Sequence, residues 1–264
     1  MSETSQIVAG LVHELGNPLC AIGNYAHSLE DKVAPEHRAI LQSMQREVAR
    51  VQRMMESLGD YARPRDPGML GADANVALRD AVRFLRDQGV FRNIILDEQL
   101  DTAALPVKAT ALELEQTFAN LLLNAADAMP GGGTLGLFTK RVPRTTLTDG
   151  SVRRHGDASP PVVLRRDERI ERWLVAHEMA QVVKIIVADS GPGIEPGSED
   201  RIFEPFVTTK SPEHGTGLGL AIVRGIVNTM GGLVWVQRSR EGGAAFHIVV
   251  PVFAADTAGS APPR

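Results

Sequence analysis

Five short stretches of this chain combine residue types and spacings that can do chemistry. Asn120 and Asn124 lie in Glu115-Gln116-Thr117-Phe118-Ala119-Asn120-Leu121-Leu122-Leu123-Asn124-Ala125-Ala126-Asp127-Ala128-Met129. On a helix, residues four apart project from one face. Asn is a poor interior helix residue, and two amides facing one way need polar partners. An amide oxygen is a hard ligand, suited to Mg2+ that carries phosphate; the same pair could equally be two solvated side chains. Asp189-Ser190-Gly191-Pro192-Gly193-Ile194 follows an apolar run. Its glycines let a planar ligand approach the backbone, and a carboxylate at a strand end can accept a hydrogen bond from an exocyclic amine. Asp-Ser-Gly is also an ordinary turn. Next come Arg201-Ile202-Phe203-Glu204-Pro205-Phe206-Val207-Thr208-Thr209-Lys210 and Gly215-Thr216-Gly217-Leu218-Gly219-Leu220-Ala221. A glycine-rich stretch that opens a helix presents free N–H groups to phosphates, and Lys210 could add a positive charge. Alone, Gly-x-Gly-x-Gly is weak, and a dinucleotide fold needs a different strand-then-helix context.

The fifth stretch, His13-Glu14-Leu15-Gly16-Asn17-Pro18-Leu19, offers a nucleophile. A neutral imidazole nitrogen is competent near pH 7. Glu14 can hold or deprotonate the other ring nitrogen, and Asn17, four residues on, faces the same way. A lone surface histidine is ordinarily just solvated. His27 and His37 have no such setting and read as surface residues.

The elements that must carry these groups follow from periodicity. Val8, Val12, Leu15, Leu19, Ile22, Ala26 and Leu29 repeat at alternating steps of four and three, and Leu41, Met44, Val48, Val51, Met55 and Leu58 repeat at three and four. These are heptad seams on two helices, over about 5–30 and 36–61, with a kink expected at Pro18 and a break at Pro35. His13 lies beside the seam residue Val12, so its ring belongs at the surface of the helix pair. Each helix of such an antiparallel hairpin buries one stripe, and a homodimer closing a four-helix bundle covers the rest. Both helices packing on the rest of the same chain is the alternative. Arg63-Pro64-Arg65-Asp66-Pro67-Gly68 reads as a linker and hinge. Beyond it, Asn75 is expected to cap a helix to Gln88. Short strands are expected over 93–99 and 105–108, a helix over 111–129, strands over 135–141 and 182–188, a helix over 217–230, and a closing strand pair over 233–239 and 245–252. Residues 144–180 read as an insertion, with a helix or hairpin over 165–179.

The fold class expected is therefore α+β. A helical hairpin forms a dimeric four-helix bundle, and an α/β sandwich follows, a mixed sheet with helices on one face. The domains are expected at 1–63 and 73–253, joined by a linker at 64–72 and followed by a disordered tail at 254–264. With 264 residues, 43% hydrophobic and 23% charged, the chain can bury a real core. No apolar run of about 18 residues suggests a membrane span. Cys20 is the sole cysteine and fits a reducing, cytoplasmic setting. The formal charge of -4 gives a nucleic-acid partner no electrostatic support.

Taken in order, the four stretches of the second domain resemble the N, G1, F and G2 boxes of the ATP-binding domain of sensor histidine kinases. That domain belongs to the gyrase, Hsp90, MutL and histidine kinase ATPase superfamily, and the resemblance spans about 73–252. It implies that Asn124 is the Mg2+ ligand and Asn120 its companion near the triphosphate of ATP. It implies that Asp189 reads adenine, with Gly191, Gly193 and Ile194 beside the base. Residues 195–216 look like a short ATP lid that includes Lys210, with Thr216, Gly217, Leu218 and Gly219 at its phosphate-side end. The stretch around His13 resembles the H-box of the dimerisation and phosphotransfer domain. By that resemblance His13 accepts the γ-phosphoryl group and passes it to an aspartate on a response regulator, and Asn17 positions water for dephosphorylation. The closing strand carries Ala244 and Ala245 where many relatives place a hydroxyl residue. Two rival classes remain: a non-catalytic phosphotransfer protein with a degenerate ATP domain, and a superfamily ATPase or serine kinase in which His13 is incidental.

Overall fold

The computed structural model describes residues 18, 21–30, 34, 37–38, 40–45, 47–48, 51, 70–147, 168–177, 179–210 and 216–253. The chain divides into two compact units, Met1–Asp66 with Asp200–Ile222 and Pro67–Glu199 with Val223–Arg264. In the first, residues 21–28 and 40–45 are helical. Gln45 Nε2 donates to the carbonyl of Ala26 at 3.5 Å, so these two stretches meet as a hairpin requires. Ala26 and Leu41 are buried, whereas the seam residues Ile22, Leu29 and Met44 stay exposed. His27 and His37 are exposed, as expected. The linker at 63–68 and the tail beyond 253 lie outside the described residues.

The second unit is built on a five-stranded sheet in the order β1-β2-β3-β5-β4. The strands are β1 (Ile94–Gln99), β2 (Gly133–Pro143), β3 (Gln181–Asp189), β4 (Leu233–Arg238) and β5 (Ala244–Pro251). β1 and β2 run parallel and the remaining pairs antiparallel, which is the mixed sheet expected. The helices are α1 (Ala74–Asp87), α2 (Ala111–Ala128), α3 (Glu168–Ala176) and α4 (Gly219–Thr229).

Local chemistry sets where these elements begin. Asp73, not Asn75, caps α1: its carboxylate accepts from the Asn75 N–H at 2.8 Å. Asn75 is instead buried inside the helix. Its Nδ2 donates to the carbonyls of Asp101 and Ala103, and its Oδ1 accepts from Thr139 Oγ1 at 2.5 Å. Asn competes well for caps, but here tertiary partners satisfy its amide and the carboxylate two residues earlier takes the cap. The strand expected over 105–108 is reduced to two isolated bridges, Asp73 to Pro106 and Val107 to Val252. Pro106 has no N–H to continue a ladder.

The sheet is covered on both faces, which corrects the expectation of helices on one. β3 is buried on alternate and intervening residues alike. Thr139 lies opposite Ile185 in the register, and its bond to Asn75 puts the start of α1 on the face of Ile185 and Val183. Val250, opposite Val183, and Val227 of α4 both border Gly232. On the other face, Ile170, Trp173 and Leu174 of α3 pack with Val142, Val182, Trp235 and Val249. The insertion thus connects two adjacent antiparallel strands, since Pro143 pairs with Gln181, and its helix buries surface that would otherwise face water. Trp173 Nε1 donates to the Gly231 carbonyl at 2.8 Å, tying α3 to the turn after α4. Residues 148–167 lie outside the described residues.

That second face also buries two bases. Trp235 and His247 stack at 5.1 Å, and burial with the neighbouring Lys184 charge pushes His247 down to about 3. Burial pushes the Lys184 ammonium from 10.5 down to about 8. Between those two values the unfolded chain holds the Lys184 proton more tightly than the folded one, so stability rises with pH across that window. Below about pH 8 the folded state carries the full cost of a buried charge. Lys184→Met removes it. The variant is expected to be more stable than the wild type at pH 7, by an amount on the order of 3 kcal/mol at most, and the gap should close by about pH 10.5. Urea unfolding between pH 7 and 10.5 measures both curves; a constant gap, or none, contradicts the assignment.

Candidate functional site

The first part of the site is set by how α2 starts. Thr110 and Glu113 form a capping box: the Glu113 N–H donates to Thr110 Oγ1 at 3.3 Å, and the Thr110 N–H to Glu113 Oε2 at 2.9 Å. This fixes the helix phase, so Leu114, Phe118, Leu121, Leu122 and Ala125 are buried while Asn120 and Asn124 are half-buried on another face. Asn120 Nδ2 donates to the Gln116 carbonyl at 2.9 Å. With the nitrogen committed to the backbone, the amide oxygen is the end that points away from it, the polarity a cation or its water shell requires.

The second part is the end of β3. Asp189 is 3% exposed. Its Oδ1 accepts from the Gly191 N–H at 2.9 Å and the Ala244 N–H at 3.1 Å. Both bonds fall on one oxygen, which leaves Oδ2 as the acceptor for an incoming donor. Burial raises the Asp189 pKa above the ordinary carboxylate value, and backbone donors at Ala244, Gly191 and Asp189 itself offset part of that rise. The turn beyond is held on both sides. The Ser190 N–H donates to the Thr134 carbonyl, the Thr134 N–H donates back to Ser190 Oγ, and Ser190 Oγ–H reaches Met129 Sδ. A Cβ on Gly191 would lie 2.8 Å from the carbonyl oxygen of Ala128, one helical turn beyond Asn124. The structure therefore brings Asp189 and Gly191 against the end of the helix that carries both asparagines. Gly193 has φ +80°, and a Cβ on it would stand 3.1 Å from the Gly242 carbonyl oxygen; Ile194 is half-buried beside it.

The segment 200–222 is placed by its own contacts. Lys210 is half-buried and its N–H donates to Thr208 Oγ1 at 3.1 Å. Thr216 Oγ1 accepts from the Leu218 N–H at 3.3 Å. Gly217 has φ +68°, so α4 starts at Gly219 and not at Gly217 as expected. Leu218 is buried. His13, Glu14 and Asn17 lie outside the described residues.

Sequence reasoning missed three partners of Asp189. Ser239 Oγ donates to its carbonyl at 2.7 Å, Ala244 supplies a backbone donor, and Gly243 supplies space. A Cβ on Gly243 would collide with both the carbonyl and a carboxylate oxygen of Asp189. The Gly-Gly pair ahead of the last strand was the available signal. It also shows why a closing strand with Ala at 244 and 245 can serve: the contact to Asp189 is made by the main chain.

Residues 109–254 match the family described as histidine kinase-, DNA gyrase B- and HSP90-like ATPase. The chain belongs to that family. Residues 3–67 match the His Kinase A (phospho-acceptor) domain, so the order of parts is that of a two-component histidine kinase catalytic core. The chain is 25% identical to the signal transduction histidine-protein kinase AtoS of Escherichia coli K12, over 96% of this chain and 35% of that protein. It is 31% identical to the sensory histidine kinase/phosphatase NtrB of Rhodobacter capsulatus, over 92% of this chain and 60% of that protein. It therefore spans about a third to three-fifths of these relatives. The fold agrees with that of full-length ShkA, solved in complex with AMPPNP, at a TM-score of 0.63 and 23% identity, over 95% of this chain and 47% of that one.

Gly243 tests the crowding at Asp189. Gly243→Ala must push either the β5 start or the Asp189 turn aside. The expected cost is about 1–3 kcal/mol of stability, together with at least a tenfold loss in affinity for an adenine nucleotide. Thermal unfolding and calorimetric titration measure the two; full affinity in a folded variant would mean that the Asp189 turn does not contact the ligand.

Proposed function

We propose that the chain is the catalytic core of a sensor histidine kinase: it transfers the γ-phosphoryl group of ATP to His13 and then to an aspartate of a response regulator. The observation that carries this reading is the Asp189 carboxylate, buried at a strand end with one oxygen tied to two backbone donors and the other available, in a chain whose N-terminal part matches a phospho-acceptor domain. Such a group can accept the exocyclic amine of adenine. The residues also fit a phosphate-borne cation. Among the described residues no group of three His, Cys, Asp or Glu could hold a metal by itself, whereas Asn124, with Asn120 one turn before it, can add an amide oxygen to an ion that arrives with the triphosphate. Bound Mg2+ would supply neutralisation of charge on the phosphoryl oxygens.

In the transfer, a ring nitrogen of His13 forms the N–P bond while the bond from γ-phosphorus to the bridging oxygen breaks and ADP leaves. Glu14 holds or takes the proton of the other ring nitrogen. The aspartate of the regulator then takes the phosphoryl group, and His13 regains its neutral form. Asn17 orients a water towards the regulator's acyl phosphate for the opposing, hydrolytic activity, which frees the aspartate and releases inorganic phosphate. A second copy of the chain completes a four-helix bundle. The exposure of the seam residues Ile22, Leu29 and Met44 in a single chain supports that assembly. The proposed compartment is the cytoplasm, where ATP and reduced Cys20 coexist; no helix among the described residues is long and apolar enough to cross a membrane.

Three variants test the reading. His13→Gln should abolish acid-labile labelling from γ-labelled ATP and leave ATP affinity unchanged, while Asn17→Ala should label normally and slow the decay of regulator-bound phosphate. Label surviving in the first variant would put the acceptor elsewhere. Asp189→Asn replaces an acceptor by a donor at Oδ2. It should lower the preference for adenine over guanine nucleotides by roughly ten- to a hundredfold. Because the raised pKa means the ionised carboxylate costs stability at neutral pH, the same variant should be no less stable than the wild type at pH 7. Unchanged base preference would remove Asp189 from the pocket.

A further inference from the structure

Phe206 is the single non-glycine residue with positive φ among the described residues, at +66°. An L-residue with a bulky side chain rarely enters this region, and such strain persists only where its surroundings impose it. The residue is 61% exposed, so side-chain packing does not impose the conformation. The main chain does. The Phe206 N–H donates to the Gly217 carbonyl at 3.0 Å. Gly217 is itself left-handed, with φ +68°, and a Cβ there would stand 2.5 Å from the carbonyl carbon of Phe206 and 2.8 Å from the nitrogen of Val207. Two left-handed residues thus meet backbone to backbone, far apart in sequence and closer than any side chain permits.

Each partner is anchored on its outer side. Before Phe206, the Glu204 N–H donates to Arg201 and the Val207 N–H to Glu204, and Phe203 is buried in the short 3-10 turn Arg201–Phe203. After Gly217, Leu218 is buried, its N–H donates to Thr216 Oγ1, and α4 begins one residue later. We infer that Phe206 is a positioning residue that acts through its backbone: held left-handed, it fixes Gly217 and thereby sets the direction of the first turn of α4. The consequence for ligand binding rests on the ATP reading above, in which Gly217 and Gly219 lie on the phosphate side.

Three substitutions of Phe206 separate backbone from ring. Asn and Gly enter the left-handed region readily, whereas β-branched Val resists it, and all three remove the ring. In the full chain, amide hydrogen exchange of Phe206 and of Leu218 and Ile222, whose N–H groups are bonded, reads the contact without nucleotide. ATP affinity with Mg2+ present, and KM against kcat of autophosphorylation, read its consequence. Phe206→Asn and Phe206→Gly should keep slow exchange and an affinity within about twofold of the wild type. Phe206→Val should lose protection at both places and weaken ATP binding roughly ten- to a hundredfold, chiefly in KM. Gly217→Ala, which attacks the contact from its other side, should repeat the exchange result and guards against a Val variant that merely misfolds. Equal losses in all three Phe206 variants would assign the role to the ring and overturn the proposal. So would a Val variant that exchanges and binds like the wild type, or one that loses protection while keeping ATP affinity. If the wild type binds no ATP, the nucleotide reading fails by itself; protection that then falls in Val and Ala but not in Asn and Gly still supports the backbone contact, and any other pattern overturns it.

Discussion

A buried carboxylate at the end of a central strand is the constraint on which the rest of the sheet unit depends. Removing an ionised group from water costs several kcal/mol unless hydrogen bonds replace the lost hydration. Asp189 obtains two of them, from Gly191 in its own turn and from Ala244 at the start of β5. Both donors must be at one oxygen, which requires β3 and β5 to end in register. It also requires glycine at 243, because that backbone passes against the Asp189 carboxylate and carbonyl. Ser239 closes the arrangement from the β4 side by binding the Asp189 carbonyl. Three strands and one turn are therefore fixed by a group whose own pKa shows that the fold does not fully compensate it.

The two faces of the sheet divide the energetic labour. On one, α1 is tied by the Asn75–Thr139 network, in which every polar atom of the Asn75 amide has a protein partner. A fully satisfied network of this kind rigidifies at little cost. On the other, Trp235 Nε1 and His247 Nδ1 are buried without partners, and Lys184 is desolvated. That face gains its stability from apolar contact instead, and α3 supplies a share of it through Ile170, Trp173 and Leu174. The insertion is thus a structural part of the sheet unit. Its helix also reaches the α4–β4 turn through Trp173 and Gly231.

Much of this was legible in the sequence because local and tertiary preferences agree there. The apolar run 182–188 reads as a strand and is one, and the helix at 111–129 stops where the glycines begin. Residues 120, 124, 189 and 191 lie on the helix, strand end and turn expected for them, since such spacing is a property of a helix or a turn alone. The failures have a common cause. Asn75 looks like a cap until Asp101, Ala103 and Thr139 offer its amide a better set of partners. A strand over 105–108 looks reasonable until Pro106 and the lack of a continuous neighbour reduce it to bridges. The cover on the second face could not be read at all, because Ile170, Trp173 and Leu174 have the ordinary spacing of any amphipathic helix and say nothing of which surface they cover. Gly243 escaped for the same reason: its role is set by a residue 54 positions away in the chain.

Some of the costly features fall on residues proposed to meet a ligand, and that has a physical reading. Folded proteins break a local rule at functional sites and compensate for it elsewhere. Here Asp189 carries a desolvation cost, Phe206 sits in a conformation that its side chain disfavours, and Gly191, Gly193 and Gly217 give up chain entropy to hold turns open. Each cost is met by the surrounding structure before any ligand arrives. A donor that reaches Asp189 Oδ2 would find the carboxylate already stripped of competing water and already oriented by two N–H groups, so little of the binding energy would go into reorganisation. The same logic explains why main-chain groups do most of the holding. Gly191 and Ala244 hold Asp189 through N–H groups, which cannot rotate away as side chains do. A site built in this way tolerates variation in side chains, as the Ala244–Ala245 pair illustrates, and is sensitive instead to anything that moves the backbone.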